Sequence, residues 1–576
     1  MGIGKNLLLA VTTASQHLSD DPVVLALQLS RRLPARLVQP VAKTIVKLGP
    51  SSAFIPSMIA ACVSGDEAAL DRRFKASSGV VGESARILAD VALAAGRTHE
   101  ADRLISAAGG ARKLPATVAR RKWHDGDMTG AINALLSQSG PMRRQRDRLE
   151  GERLVYSEST IRLPKVGYSP VENRVLHLLT NSLPHTGSGY AQRSHSMLQA
   201  QQAAGMHVLA ATRLGYPVQV GKIMARDEDV VEGVTYRRMI PVALAATSDA
   251  RLQQEAEQLL DIAYEFRPAV LHTTTHFVNG LVVGAVAKAL DIPWVYEVRG
   301  QLADTWASSR DADAKQSERY LQFLDREAQV MLDADLVVTL GESMRDGIVN
   351  LGVPAVKVML APNAVGGAYL AEPKSSETAR LELKLDPNAN FIGTVSSIVD
   401  YEGLADLVTA FSLLAPTHPA LRLLIVGDGT ALPALKIRAK ELGVGDKIVF
   451  PGRVPRDQAS LYHQAIDIFV VPRKDLEVTR SVTPLKPVEA LASGRPVVAS
   501  DLPALREIIQ DHVNGRLFPA GDMAKLTEVL AEMLASPEST ERMGRHGRSN
   551  VLATRTWAAN ATTFAKKYEE LSGRTV

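Results

Sequence analysis

The amino-acid sequence predicts an α/β protein in which an all-α region precedes two consecutive Rossmann-like units. Residues 1–140 are rich in Ala, Leu and Arg, and their apolar residues recur at helical spacing. From Pro170 onward, short apolar strands alternate with helical stretches, and the alternation starts again after residues 361–367. The predicted regions are a helical repeat-like domain at 1–140, a basic linker at 141–172, a first unit at 173–365 and a second unit at 366–576, whose last helix is expected to cross back.

Composition excludes several classes of protein. The 576 residues include 66 Lys and Arg against 62 Asp and Glu, a net charge of +4 that is too small for a dedicated nucleic-acid binder. A single cysteine, Cys62, excludes an intrachain disulfide and a Cys-rich metal site. The uncharged stretch 268–287 contains two His, three Thr and one Asn, so we interpret it as a buried strand and helix rather than a membrane span. The first residues lack a signal-peptide cleavage pattern.

The helical region contains a weak repeat. Gly65, Gly96 and Gly126 recur at intervals of 31 and 30 residues, each between two helical stretches. Paired helices joined by a glycine turn are typical of tetratricopeptide-like repeats, whose usual period is nearer 34 residues. An ordinary helical bundle with coincidental glycines is the alternative. The repeat interpretation predicts that residues 1–140 bind a protein partner or the acceptor.

The predicted linker begins with a basic run. Pro141 is followed by arginines with few intervening acids, namely Arg143, Arg144, Arg146 and Arg148. We interpret this run as a solvated linker or helix. Contact with anionic lipid or with a phosphate-bearing polymer is the alternative.

Glycine-rich loops follow two of the predicted strands. In PHTGSGY, residues 184–190, Gly187 and Gly189 flank Ser188 after the first strand of the first unit. Small residues there expose backbone amides to an anion. In VGDG, residues 426–429, Gly427 ends a strand and lets a ligand approach the backbone. Plain tight turns are the alternative at both places.

An ordered series of segments carries a family resemblance. The segments are PHTGSGY, AKALDIPWVYEVRG, ADLVVTLGESM, APNAV, LLIVGDG, FPGRVP and PVEALASGRPVVASD. With these segments in this order, residues 174–571 resemble glycosyltransferase family 4, whose members are retaining, nucleotide-sugar-dependent enzymes of the GT-B fold. The resemblance implies a nucleotide-diphosphate sugar as donor, with UDP expected, and a hydroxyl acceptor on a bacterial cell-surface polysaccharide or glycolipid. It also implies a cytoplasmic location, with peripheral contact at the inner face of the cell membrane left open.

The resemblance assigns roles to residues of the cleft. Glu489 corresponds to the glutamate that accepts hydrogen bonds from the ribose hydroxyls, and Arg453 lies in the loop that lines the base pocket. Together with the replacements argued below, the residues expected to contact the donor are Gly187, Ser188, Gly189, Ser396, Gly427, Arg453, Arg473, Thr483, Leu485, Lys486 and Glu489.

The strand end YEVRG, residues 296–300, differs from many members, which carry a histidine there. We expect Arg299 to neutralise a phosphate and Glu297 to position it or to bind an acceptor hydroxyl. A structural ion pair between the two is the alternative. His272 and His276 follow the preceding strand and are interpreted as hydrogen-bonded structural groups.

The second unit departs from the family pattern at three positions. Ser481 stands where typical members have a second glutamate, and Ser396 and Glu402 stand where Arg and Lys hold the diphosphate. We therefore expect Lys486 and Arg473 to supply the missing cations, with Lys486, Arg299 and Glu297 as the catalytic residues.

No metal is expected, because the sequence DADAK at 311–315 lies in a polar connecting segment and cationic side chains can neutralise the diphosphate. The alternatives are a non-catalytic GT-B-like assembly subunit, which binds partners through its helical domain, and a nucleotide-sugar epimerase.

Overall fold

A computed structural model describes the residues 2–20, 54–64, 66–158, 161–308 and 310–573. Gly65, the first glycine of the predicted repeat, lies outside them. In the described part of the chain, no helix combines the length and the apolar character needed to span a bilayer.

The N-terminal region is helical. Gly96 and Gly126 follow helices with φ of 73° and 87°, so both occupy the left-handed turn that glycine favours. Asp66 caps the N-terminus of the helix Glu67–Ala76 by accepting a hydrogen bond from Ala69 N, and Asp127 caps the helix Met128–Asn133 by accepting one from Gly130 N. The helices are α1 (Gly2–Asp20), α2 (Phe54–Ser64), α3 (Glu67–Ala76), α4 (Gly82–Ala94), α5 (Thr98–Ala107), α6 (Leu114–Asp125), α7 (Met128–Asn133) and α8 (Pro141–Ser157).

Residues 141–157 of the predicted basic linker form helix α8, one of the two forms expected for the basic run. Its C-terminal half carries the buried residues Val155 and Tyr156, and the Tyr156 ring packs edge-on against Phe277 and Phe323, at centroid distances of 5.2 and 5.9 Å. Arg326 Nε donates a hydrogen bond to Val155 O at 3.1 Å. The arginine run at the start of the helix hid this apolar end in the sequence, and α8 belongs to the core of the first unit.

The first unit surrounds a mostly parallel sheet. Among the described residues its strand order is β3-β4-β2-β1-β5-β6-β7-β8, with β3 the antiparallel edge strand. The elements are β1 (Val171–Leu179), α9 (Gly189–Ala203), β2 (His207–Thr212), β3 (Glu228–Val231), β4 (Val234–Arg238), α10 (Ser248–Phe266), β5 (Pro268–Thr274), α11 (Phe277–Leu290), β6 (Trp294–Val298), α12 (Leu302–Ala307), α13 (Glu318–Asp333), β7 (Leu336–Thr339), α14 (Glu342–Asn350) and β8 (Val358–Leu360).

The second unit repeats this plan with a parallel sheet. Its strand order within the described residues is β11-β10-β9-β12-β13-β14. The elements are α15 (Ser376–Glu382), β9 (Asn390–Val395), α16 (Leu404–Leu414), β10 (Leu421–Val426), α17 (Leu432–Glu441), β11 (Ile448–Gly452), α18 (Arg456–Ala465), β12 (Ile468–Val471), α19 (Glu477–Ser481), α20 (Lys486–Ala492), β13 (Val497–Ser500), α21 (Pro503–Arg506), β14 (Gly515–Phe518), α22 (Met523–Ala535), α23 (Pro537–Thr554) and α24 (Trp557–Ser572).

The last helix, α24, crosses back to the first unit. It packs against α9, β5 and β1. The hydroxyl of Tyr568 is 2.6 Å from His272 Nδ1 and accepts a hydrogen bond from Gln201 Nε2 at 3.2 Å. Phe564 and Tyr568 are buried in the same apolar cluster as strands of the first sheet. Part of the first unit's core is therefore supplied by the end of the chain.

The helical region also contacts the segment that follows β6. Arg319 N donates to Gly126 O at 3.0 Å, and Thr129 N donates to Glu318 at 2.7 Å. A Cβ at Gly126 would lie 2.5 Å from Ser317 Oγ, so this turn needs glycine for space as well as for conformation. The contact fixes the helical region to the first unit at the start of α13.

Candidate active site

The predicted donor and catalytic residues gather at the carboxyl ends of strands from both sheets. Parallel strands direct their carboxyl ends to one edge, and the two edges face each other across a cleft. Four of these residues directly follow a strand: Arg299 after β6, Ser396 after β9, Gly427 after β10 and Arg453 after β11. Arg473 lies two residues after the end of β12.

The glycine-rich loop of the first unit contacts the second unit across this cleft. Arg453 Nη2 donates to Gly187 O at 3.1 Å, and a Cβ at Gly187 would lie 3.3 Å from the same nitrogen. Ser188 begins helix α9, and its Oγ accepts a hydrogen bond from Ala191 N at 3.3 Å. Gly189 has open space where a side chain would be. The loop therefore brings the N-terminus of α9, capped by Ser188, to the cleft and leaves open space at Gly189.

A buried carboxylate joins the two cations that the sequence analysis singled out. Lys486 Nζ lies 2.6 Å from Glu402 Oε1 and donates to Ser396 Oγ at 2.8 Å. Arg473 approaches both oxygens of Glu402, at 3.1 and 3.3 Å, and also donates to Val482 O at 3.0 Å. The structure thus brings all four residues together, with Glu402 as the partner of both cations.

Electrostatics keep this cluster ionised. Burial by itself raises the pKa of Glu402, but the attraction of Lys486 and Arg473 outweighs it and lowers that pKa to about 2. Burial also lowers the pKa of Lys486, and Glu402 opposes this shift. The three side chains carry a net charge of +1. Arg473 is engaged by Glu402 and the backbone, whereas the Lys486 side chain keeps 19% of its surface exposed. Lys486 and Arg473, which were expected to hold a ligand together, therefore both bind Glu402. Of the two cations, Lys486 is the one that is open to the cleft.

Position 427 requires a glycine because of its backbone conformation and its close approach to Ser396. Its φ is 135°, and a Cβ there would lie 1.8 Å from Ser396 O. The glycine lets the loops after β9 and β10 approach each other, which fixes the position of the serine that binds Lys486. Ser481, in the place of the second glutamate, bonds back to Glu477 O at 3.0 Å within α19.

Glu489 lies in the first turn of α20, one turn after Lys486. Burial raises its pKa to about 7, and Arg456 and Lys486 partly oppose this shift. Its nearest basic group is His463 Nε2, at 4.0 Å. Within the described residues neither carboxylate oxygen accepts a hydrogen bond, and 24% of the side chain is exposed. Glu489 can therefore accept hydrogen bonds from a ligand in the cleft.

The loop before α20, residues 482–485, contacts the segment that joins the two units. Thr483 is buried, and its carbonyl accepts a hydrogen bond from Asn363 Nδ2 at 2.8 Å. Its hydroxyl is buried and has no hydrogen-bond partner among the residues that the structure describes. Leu485 is half-buried and immediately precedes α20. The TPLKP loop is thus held from the first unit at the point where it delivers Lys486.

Glu297 and Arg299 form the ion pair that the sequence analysis left as an alternative. Arg299 Nη2 is 2.5 Å from Glu297 Oε2, and Arg193 Nη2 is 2.6 Å from Glu297 Oε1. Burial favours the neutral acid, but the two guanidinium groups hold the pKa of Glu297 well below its usual range. Arg299 is 3% exposed and also donates to Ser194 Oγ at 2.7 Å. In this arrangement, neither residue presents its charge freely to the cleft.

Arg193 is a residue that the sequence analysis missed. Besides Glu297, it donates to Ala361 O at 2.7 Å and to Asn363 Oδ1 at 3.0 Å, and its guanidinium lies over the Trp557 ring. It therefore joins the end of β6, the link between the units and helix α24. Arg193 lies three residues after PHTGSGY, and this closeness to the predicted cleft loop is the sequence feature that could have identified it.

The two histidines have structural partners. His272 is buried between Tyr568 and Glu297, and its ring stacks on His177 at 4.7 Å. His276 Nδ1 accepts from Val278 N at the start of α11, and burial lowers its pKa to about 4. Across the described ranges, no group of three or more His, Cys, Asp or Glu residues is placed to hold a metal ion.

Family comparisons agree with this geometry. Residues 188–364 match the family model described as glycosyl transferase 4-like domain, and residues 375–550 match glycosyl transferases group 1. The chain belongs to glycosyltransferase family 4. It is a glycosyltransferase, and the two matches coincide with its two Rossmann-like units.

Relatives of this glycosyltransferase include enzymes named for glycolipids. An alpha-monoglucosyldiacylglycerol synthase of Streptococcus pneumoniae is 24% identical over 361 residues, which cover 62% of this chain and 78% of the relative. A GDP-mannose-dependent alpha-(1-6)-phosphatidylinositol monomannoside mannosyltransferase of Mycolicibacterium smegmatis is 28% identical over 245 residues, or 42% of this chain and 63% of the relative.

Solved structures confirm the GT-B fold. A sucrose-phosphate synthase from Thermosynechococcus elongatus superposes with a TM-score of 0.58 at 21% identity, covering 70% of this chain and 100% of the other. Anabaena HepE in complex with UDP-glucose gives a TM-score of 0.53 at 15% identity, covering 69% and 100%. At these identities the likeness concerns the fold.

Proposed function

We propose that this glycosyltransferase transfers a sugar from a UDP-sugar to a hydroxyl group of a glycolipid or cell-surface polysaccharide, with retention of anomeric configuration. The observation that carries the proposal is that Lys486 and Glu489 lie together on the first turn of α20. Lys486 offers an ammonium group, and Glu489 offers a carboxylate whose oxygens accept no hydrogen bond from the described residues, within one cleft. A nucleoside diphosphate has the complementary groups, a diphosphate and two adjacent ribose hydroxyls.

The diphosphate would be held by Lys486 and by the N-terminus of α9. Glu402 and Ser396 hold the lysine side chain in place, which reduces the conformational entropy lost when a phosphate binds. The backbone amides that follow Ser188 would add a positive helix dipole on the opposite side of the cleft. Because these groups neutralise the leaving diphosphate, we expect turnover that needs no metal ion and no cofactor besides the donor.

Uracil as the base and a lipid-linked acceptor are supported by the relatives. HepE was solved in complex with UDP-glucose, and the Streptococcus pneumoniae relative is named for a glucosylated diacylglycerol. Other relatives are named for GDP-mannose, so the base requires a direct test. We further propose that residues 1–140 bind a protein partner or the acceptor, and that the enzyme acts at the cytoplasmic face of the membrane.

Calorimetric titration with UDP, GDP and ADP tests the nucleotide. We expect UDP to bind at least about tenfold more tightly than the other two, with equal affinity in EDTA and in magnesium. Tight binding of GDP with weak binding of UDP would replace the base assignment, and binding that requires magnesium would remove the Lys486 role. Proton NMR of the product formed from UDP-glucose and a diacylglycerol acceptor then reports the anomeric configuration; a β-glucoside would contradict retention.

A further inference from the structure

Two neighbouring segments, one from the helical region and one from the first unit, expose large apolar side chains. One is helix α1, and the other is the loop 218–227, which follows β2. Their exposed apolar side chains, here called the α1 patch, are Leu7, Leu8, Val11, Val220, Ile223 and Met224. Leu7, Leu8 and Val11 form a stripe along one side of the helix, since residues separated by three and four positions share a face. Contiguous apolar surface of this kind marks a binding site.

Buried polar contacts fix the two segments to each other. The Asn6 side chain is fully buried, and its Nδ2 donates to Ile223 O at 2.9 Å and to Ala225 O at 2.7 Å. Leu9, on the same side of α1, is fully buried in the core of the first unit. The inner side of α1 is therefore packed, and its register against the loop is set by the Asn6 amide. The outward position of the α1 patch follows from this register.

Cationic residues border the α1 patch. Lys222 and Arg226 are exposed on the loop, and Lys5 lies on α1, 3.9 Å from Asp227. With the neighbouring acids Asp227 and Glu228 these residues carry a local net charge of +1.

The α1 patch lies next to the acceptor side of the cleft. The hydroxyl of Tyr216, just before the loop, donates to Ser182 O at 2.7 Å and lies 2.9 Å from Thr186 Oγ1. Thr186 immediately precedes Gly187 of the cleft loop. A surface that meets the α1 patch is therefore close to the end of the first sheet, where the acceptor would enter.

We propose that the α1 patch docks on the surface of an anionic lipid bilayer. Its apolar side chains would enter the boundary between headgroups and acyl chains, and the flanking cations would contact lipid phosphates, as amphipathic interfacial helices do. The proposal deepens the proposed function, because a lipid-linked acceptor would then reach the cleft without leaving the membrane.

Vesicle co-sedimentation of the full chain tests this docking. The probes are vesicles of phosphatidylcholine with about one third phosphatidylglycerol, and vesicles of phosphatidylcholine alone. We expect the wild type to bind the anionic vesicles, and the pair Leu8→Gln with Met224→Gln to bind them at least about tenfold more weakly. The matched control is Val356→Gln. Val356 is 96% exposed and precedes β8, at the opposite edge of the sheet from β3, so its substitution should change nothing.

Three outcomes would overturn the proposal: no binding of the wild type to anionic vesicles, equal binding to both compositions, or an equal loss in the Val356 variant. Concentration-dependent dimerisation on size exclusion that the paired variant abolishes would also overturn it, because a second copy would then cover the patch. UDP titration in solution contains no lipid, so failure of docking is distinguishable from failure of the donor assignment.

Discussion

Replacing Lys486 by methionine removes the ammonium group between Glu402 and the cleft while keeping most of the volume of the stem. In the wild type, two cations surround one carboxylate, so the cluster has a net charge of +1; in Lys486→Met the charge is zero. Glu402 keeps its contacts with Arg473, at 3.1 and 3.3 Å, so no buried charge is left unpaired. The lost interaction with the diphosphate is a charge-assisted hydrogen bond, worth about 1.5–3 kcal/mol, or roughly 10- to 140-fold in affinity.

The assay is calorimetric titration of the variant with UDP and with uridine. UDP affinity should fall by that factor, whereas uridine affinity should not change, because uridine carries no phosphate. The control is Lys474→Met: Lys474 is partly exposed and pairs with Asp400 at 2.8 Å, so its loss should alter neither ligand. An equal loss for UDP and uridine, or unchanged UDP affinity in a variant with the wild-type melting temperature, would refute the role of Lys486.

Three further perturbations test the neighbouring groups. Glu489→Gln should weaken UDP-glucose binding at least about tenfold. Because the pKa of Glu489 is raised to about 7, calorimetry on the wild type should show affinity rising between about pH 6 and 8 as the carboxylate forms, and a flat profile in the variant; a pH-dependent variant would contradict the assignment. Gly427→Ala should lower the melting temperature by several degrees and abolish UDP binding, whereas Gly443→Ala, which also has positive φ but open space, should cost far less. Because Glu402 has a pKa of about 2, below its value in the unfolded chain, its stabilising contribution is present above about pH 4.5 and is lost as pH falls towards 2. The urea midpoints of the wild type and Glu402→Gln should therefore converge on acidification, and a constant difference would show that Glu402 stabilises by packing.

The two-unit α/β fold was predictable from sequence because buried parallel strands are short, continuous apolar runs. In the helices between them, apolar residues recur with the helical period of about 3.6 residues instead. The sequence also singled out Lys486 and Arg473, which lie together in the structure, but their role in binding a diphosphate stays a prediction. The partner of these cations was not predicted. Glu402 was interpreted as a lost cation, because a sequence does not show that a residue 71 positions from Arg473 meets it in a buried pair.

Two further features were not fully predicted, for the same reason. Helix α8 begins with arginines, and its buried tyrosine is one aromatic residue among many polar ones, so the local pattern did not show that this helix packs in the core of the first unit. Arg193 meets Glu297 across 104 positions of sequence. Contacts between distant segments decide which charges are paired, and local periodicity carries no information about them.

Helix α24 has a consequence for how the chain is made. Its Phe564 and Tyr568 complete the apolar packing around His272 and strands whose residues are synthesised several hundred positions earlier. On the ribosome, the first sheet therefore emerges with part of one face uncovered beside α9, and that part stays uncovered while the second unit is translated. The 16-residue helix α24 covers it, so we expect a chain truncated before residue 557 to expose apolar surface of the first sheet and to aggregate more readily.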